Sequence, residues 1–200
     1  MKNAAIKAGA IGLAGNLLLF FVKLYIGISS NSLAIYCDAI NNLGDTFACG
    51  IALLGFFMIK KMSERQSLRT QSLCTLFISL FIAATGCYFV YNGLERLMYP
   101  MPVSYSVKYA VMLAATIGVK ILMGLMFRAF NRGADSSVLK ALFLDSFLDC
   151  FITLAALMSL ILIQRVNFAA DGIFAIATGS IITLSAIRNI LQEAKYLIND

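Results

Sequence analysis

Six apolar runs separated by short polar breaks divide the chain, at about 8–29, 33–59, 70–97, 104–128, 138–163 and 169–192. Each reaches the roughly 20 residues that an α-helix needs to cross a bilayer. The runs are too long and continuous for period-2 strands, which sets aside the closed β-barrel, the other fold that satisfies its backbone in lipid. The pattern therefore predicts an all-α membrane protein with six transmembrane helices.

The breaks add detail. Small residues at Gly9, Gly12 and Gly15 give span 1 a face suited to close helix packing. Residues 27–31 form a very short hairpin, so spans 1 and 2 are antiparallel neighbours. Residues 62–71 read as a short polar connector, and span 3 carries no charge until Glu95-Arg96 at its end. Both prolines fall in Tyr99-Pro100-Met101-Pro102, which breaks the helix before span 4. Lys23, near the end of span 1, and Lys120, deeper in span 4, are expected to snorkel to the interface, the latter towards Arg128. Residues 131–137 are the most loop-like segment, with an Asp or Ser placed to cap span 5. Asp171 opens span 6, where the helix dipole favours a carboxylate in a structural role.

Two stretches interrupt the apolar pattern inside spans. Asp38, Asn41, Asn42 and Asp45 are spaced 3, 1 and 3 apart and share one helical face of span 2. Asp145 and Asp149 lie one turn apart in span 5. An ionisable residue in hydrocarbon costs at least ~2.5 kcal/mol on insertion scales, so such groups need partners within the membrane. Asn41 with Asp45, and Asp145 with Asp149, form two i, i+4 pairs that can converge on one cation if the spans face each other. Asp38 with Asn42 is a competing pair on the same face, and spacing does not choose between them.

The donors are all oxygen if the Asn binds through its carbonyl, and the chain has no histidine. Hard oxygen ligands suit Mn²⁺, Mg²⁺ or Ca²⁺, whereas Zn²⁺ sites usually include imidazole or thiolate. Three carboxylates at one point repel one another and lose solvation, so without metal at least one is expected to hold a proton. Exchange of a cation for protons follows. Without a nucleophile–base pair beside the carboxylates, an enzyme is not expected.

Composition agrees with the pattern: 60% of residues are hydrophobic and 13% charged, with a mean hydropathy of +0.86. A soluble domain is nearer half apolar and a quarter charged. The net charge of +6 speaks to orientation rather than to nucleic acid. Lys2, Lys7, Lys60, Lys61, Arg65, Arg69, Arg128, Arg132, Lys140 and Lys195 fall at the termini and in the 2–3 and 4–5 loops, leaving little beyond Arg96 and Arg165 on the other side. By the positive-inside rule both termini are cytoplasmic. The five cysteines all lie within spans, with no Cys-x-x-Cys, and are expected to be small core residues.

Along nearly its whole length the sequence resembles the transmembrane part of the cation diffusion facilitator family. The likeness is carried by the six-span layout and by Ser32-Leu33-Ala34 leading into Asp38-Ala39-Ile40-Asn41-Asn42-Leu43-Gly44-Asp45. Asp145-Ser146-Phe147-Leu148-Asp149 and Asp171-Gly172 complete it. The resemblance implies a metal site of Asn41, Asp45, Asp145 and Asp149, with Asp38 one turn away. It implies a multi-pass cell-membrane exporter of a divalent cation, working by proton antiport with alternating access, and a homodimer. The Asn41-Asn42 doublet, the short 1–2 loop and the stretch 99–104 resemble the manganese-exporting branch, so Mn²⁺ is favoured, with Zn²⁺ or Fe²⁺ export as the alternative. A non-transporting membrane subunit is the reading from another class. The whole chain, 1–200, reads as the cation-efflux transmembrane domain. The cytoplasmic domain typical of the family is expected to be absent from this chain, which stops at Asp200 and is either a truncated form or a member without that domain. The 2–3 loop lacks the histidine-containing segment of many relatives, so no auxiliary metal site is expected there.

Overall fold

The computed structural model describes residues 2–58, 64–132, 137–164 and 169–199. They form six helices: α1 (Lys2–Ser30), α2 (Leu33–Met58), α3 (Glu64–Met98), α4 (Val107–Asn131), α5 (Ser137–Leu162) and α6 (Ala169–Asn199). Five carry a segment long and apolar enough to cross a membrane. The sixth, α2, is of similar length and carries the stripe of Asp38, Asn41, Asn42 and Asp45. Large apolar side chains such as Phe21, Phe77, Phe81, Leu122, Leu148 and Leu184 cover the outside. So much exposed apolar surface suits lipid rather than water.

The helices follow the expected spans, but α1, α3 and α6 run past them, from Lys2, from Glu64 and to Asn199. α3 begins at Glu64, so the stretch expected to be a polar connector is helical from there on. Its residues (Glu64, Arg65, Gln66, Ser67, Leu68, Arg69) include strong helix formers and no proline or glycine, and nothing local ends the helix where the apolar run ends. The expected Asp or Ser cap of span 5 rests on residues that include 133–136, and the expected 2–3 connector begins with 62–63; both stretches lie outside the described residues.

Three antiparallel pairs make up the bundle: α1 with α2, α4 with α5, and α3 with α6. The first two pairs pack together around the polar stripe, and α2 also touches α3, α5 and α6. Glycines set the close approaches. Gly12 of α1 lies against Cys49, and Gly15 against Met123 of α4, as the small face of span 1 predicts. Where α1 turns into α2, Asn31 adopts the left-handed region at φ 55°. Ser32 N donates to the Gly27 carbonyl (3.0 Å) and Asn31 N to Ile28 (3.2 Å), the paired bonds of a Schellman cap. The turn is thus tighter than the five residues expected, because α1 continues through Ser30.

At this hairpin end the helices are tied together. Asp171, fully buried, accepts hydrogen bonds from Ser32 Oγ (2.6 Å) and from the N–H groups of Leu33 (2.8 Å) and Ala34 (3.3 Å). It also pairs with Arg96 at 2.7 Å. Its carboxylate therefore caps α2 as well as sitting in the first turn of α6, a larger structural role than the dipole of its own helix gives it. Asn31 Nδ2 donates to the Pro102 carbonyl at 2.9 Å, which fixes the proline stretch over the same end.

Candidate metal centre

Burial of a stripe of carboxylates in α2 requires partners from its neighbours, and α5 presents its own acids there. Asp45, Asp145 and Asp149 bring one carboxylate oxygen each to within 4.8 Å of one another. Asp149 is buried, and Asp45 and Asp145 are half-buried. Asn41 donates its amide N–H to Asp149 Oδ1 at 2.5 Å. All four residues singled out in the sequence thus meet in one place. For Asn41 to offer its carbonyl to an ion, the amide would turn over about its terminal torsion, which is soft.

The position of this cluster follows from helix register. Asp45 lies 12 residues after Leu33 and 13 before Met58, the ends of α2 (45 − 33 and 58 − 45). The carboxylates therefore sit near the middle of the span.

A cation already faces them. Lys120 of α4 is only 1% exposed; its ammonium pairs with Asp149 Oδ2 and lies 3.3 Å from Asp45 Oδ2. Snorkelling towards Arg128, the sequence expectation for this residue, is not what the structure shows: two carboxylates hold Lys120 inside. Counting three carboxylates against one ammonium leaves two negative charges when all are ionised (3 − 1), the complement of a divalent ion.

One turn towards the hairpin lies a second buried pair. Asp38 Oδ1 accepts from Lys23 Nζ at 2.8 Å, and both side chains are 0% exposed. Lys23 also donates to Thr153 Oγ1 at 2.7 Å, and Thr153 lies 2.8 Å from the Asp149 carbonyl. Lys23, too, was expected to snorkel and instead neutralises Asp38. The two α2 pairs part in space: Asp45 joins the α5 acids, and Asp38 pairs with Lys23 of α1. Asn42 donates to the Asp38 carbonyl at 2.9 Å.

Lys23, Lys120 and Thr153 are the site residues that the sequence reading missed. For Lys23 a signal existed: it stands 8 residues before Asn31 and Asp38 stands 7 after (31 − 23 and 38 − 31), so an antiparallel hairpin turning there sets them side by side. The cysteines also divide. Cys37 and Cys49 are buried, but Cys74 and Cys87 are on the exposed surface of α3, contrary to the core role expected of all five.

Residues 10–198 match the family described as the cation efflux transmembrane domain. The chain is 25% identical over 173 residues to the cation-efflux pump FieF of Shewanella oneidensis, covering 84% of this chain and 58% of that protein. It is likewise 25% identical over 176 residues to the metal cation efflux system protein CzcD of Cupriavidus metallidurans, covering 85% of this chain and 54% of CzcD. The chain thus spans little more than half the length of these relatives.

Proposed function

This chain belongs to the cation efflux family, and on that premise we propose that it exports a divalent metal cation, most favourably Mn²⁺, in exchange for protons. The ion is held in transit by Asn41, Asp45, Asp145 and Asp149. One observation carries the reading: three carboxylates from two helices converge within 4.8 Å in the middle of a multi-pass membrane protein. The donors there are oxygen, which favours manganese over zinc among transition metals. Departure of the ion leaves crowded carboxylates that recover neutrality by taking up protons, so metal and proton fluxes run in opposite directions. Alternating access of the midplane site to the two sides completes the cycle, with both termini in the cytoplasm and two copies forming a homodimer in the cell membrane.

The test is transport by the purified protein in vesicles with an acidic interior. Mn²⁺ should accumulate inside as the lumen becomes less acidic, and Asp149→Ala should fall to the level of protein-free vesicles. Stronger accumulation of Zn²⁺ or Fe²⁺ than of Mn²⁺ would overturn the choice of metal. Metal uptake that leaves the luminal pH unmoved would overturn the antiport.

A further inference from the structure

Lys120 occupies an unusual position for a lysine in a membrane helix. It lies beyond the middle of α4, almost wholly buried, and its ammonium grips Asp149 Oδ2 and approaches Asp45 Oδ2. Lys23 offers a contrast within the same protein: it serves one carboxylate and one hydroxyl, and touches none of the three clustered acids. Structural neutralisation of a buried acid takes one lysine per carboxylate. Lys120 instead binds across two of the three clustered acids.

We propose that Lys120 is a tethered cation that competes with the transported ion for Asp45 and Asp149. The inference rests on reading the three carboxylates as an ion site. Lys120 stays an ammonium throughout; what changes is where it sits. While it bridges the acids it keeps them close without letting their charges repel. A monovalent ion offers these carboxylates no more charge than the ammonium does, whereas a divalent ion offers twice as much and can displace it. Two cations sharing the same oxygens repel strongly in a low-dielectric interior, so entry of the ion drives the ammonium off. Its return then helps to expel the ion, and a transporter needs release as much as binding.

Space for the displaced side chain exists. A groove of about 240 Å³ between α4 and α5 is lined by Lys120, Gly124, Arg128, Phe143 and Ser146 among others. Lys120, Gly124 and Arg128 fall at i, i+4 and i+8, on one stripe of α4. Gly124 has no side chain to block the lysine stem along that stripe. The retracted position is the snorkelling one that the sequence suggests, now as the second of two stations.

The experiment is Mn²⁺ binding to the whole chain in lipid nanodiscs by titration calorimetry, comparing the native protein with Lys120→Met, Lys120→Arg and Asp149→Ala. Lys120→Met should bind Mn²⁺ at least tenfold more tightly while its maximal transport rate falls, and Lys120→Arg should stay within a few-fold of the native affinity. A lysine that only supports the fold would give the opposite sign: weaker binding together with lower thermal stability. Equal or weaker binding by a folded Lys120→Met protein overturns the proposal. Should that variant not fold, the native protein decides. Peptide mapping after treatment with a membrane-permeant amine reagent should show Lys120 labelled several-fold more in saturating Mn²⁺, and unchanged labelling overturns the idea. If native protein and variant alike bind no divalent ion, the ion-site reading itself fails, which the calorimetry separates from failure of the lysine's role alone.

Discussion

Lys23 and Asp38 form a buried ion pair with no second ion-pair partner for either among the described residues, and that fixes how the pair answers to mutation. Removing one partner leaves an unpaired charge in a low-dielectric interior, which typically costs about 3–5 kcal/mol, whereas replacing both with apolar residues of similar volume is often neutral. Lys23→Met should therefore lower the unfolding midpoint strongly, and Lys23→Met combined with Asp38→Leu should recover most of the loss. Thermal unfolding in detergent checks this; equal losses in the single and double variants would show that the pair is not a self-contained unit. At this scale the acids were legible in the sequence and the lysines were not. A carboxylate has a short arm, so its place on a helix face nearly fixes where its charge lies. A lysine's long stem lets the same Cα serve the interface or the interior, and only the neighbouring helix decides. The resemblance and the spacing together pick out Asn41, Asp45, Asp145 and Asp149; nothing in the α4 sequence says which way Lys120 turns.

Between elements, α3 and α6 meet along a close seam. A Cβ on Gly93 would come within 3.0 Å of the Gly172 carbonyl, and one on Gly86 within 3.0 Å of the Gly179 carbonyl. The glycines are seven residues apart on both helices (93 − 86 and 179 − 172), so two antiparallel helices meet glycine on glycine twice. Small residues permit such contact in lipid, where packing replaces the hydrophobic effect as the force between helices. A Cβ on Gly179 would meet the Gly86 carbonyl at 3.0 Å, and backbone cannot move aside as a flexible side chain can. Gly179→Leu should accordingly destabilise by at least the ~1–3 kcal/mol of ordinary overpacking. Gly118, whose added Cβ would meet nothing within 4 Å, supplies the control: Gly118→Ala should leave the unfolding midpoint unchanged or raised. Equal effects of the two would show that the seam is not close-packed in the membrane. The helices themselves were legible from apolar run length. Their ends were less so, because α3 and α6 extend past the apolar runs on polar helix-forming residues. The partner of each helix was hidden for a different reason: only the hairpin forces a neighbour, and a glycine pair seven apart becomes a signal once two helices are laid side by side.

Across the whole molecule, the acids inside the bundle are more deeply buried the nearer they lie to the hairpin. Asp45 and Asp145 are half-buried, while Asp149, Asp38 and Asp171 are buried in succession towards the hairpin. Beyond the clustered acids in that direction lie apolar residues, Ala156, Ile35 and Leu160 among them, and then the ties that Asp171 makes to Ser32, Leu33, Ala34 and Arg96. In the proposed transport cycle, an ion held by the clustered acids would meet this barrier on the hairpin side, and passage that way would need the Asp171 network to let α2 separate from α6. Arg96 is the partner best placed to control this, since it bridges Asp171 and the Asn31 turn from α3. Loss of a charge-assisted bond to a buried carboxylate removes more than an ordinary hydrogen bond would, so Arg96→Ala should shift the population towards conformers open at the hairpin. Ala156, 1% exposed and set between the acids and the network, is the reporter. With the five native cysteines replaced, Ala156→Cys should react slowly with a membrane-impermeant thiol reagent added on the hairpin side, and several-fold faster once Arg96→Ala is introduced. Reaction from the opposite side should not quicken in parallel, because a barrier that opens at one end only is what distinguishes alternating access from general loosening of the bundle. Rates that rise equally from both sides would assign Arg96 to stability alone.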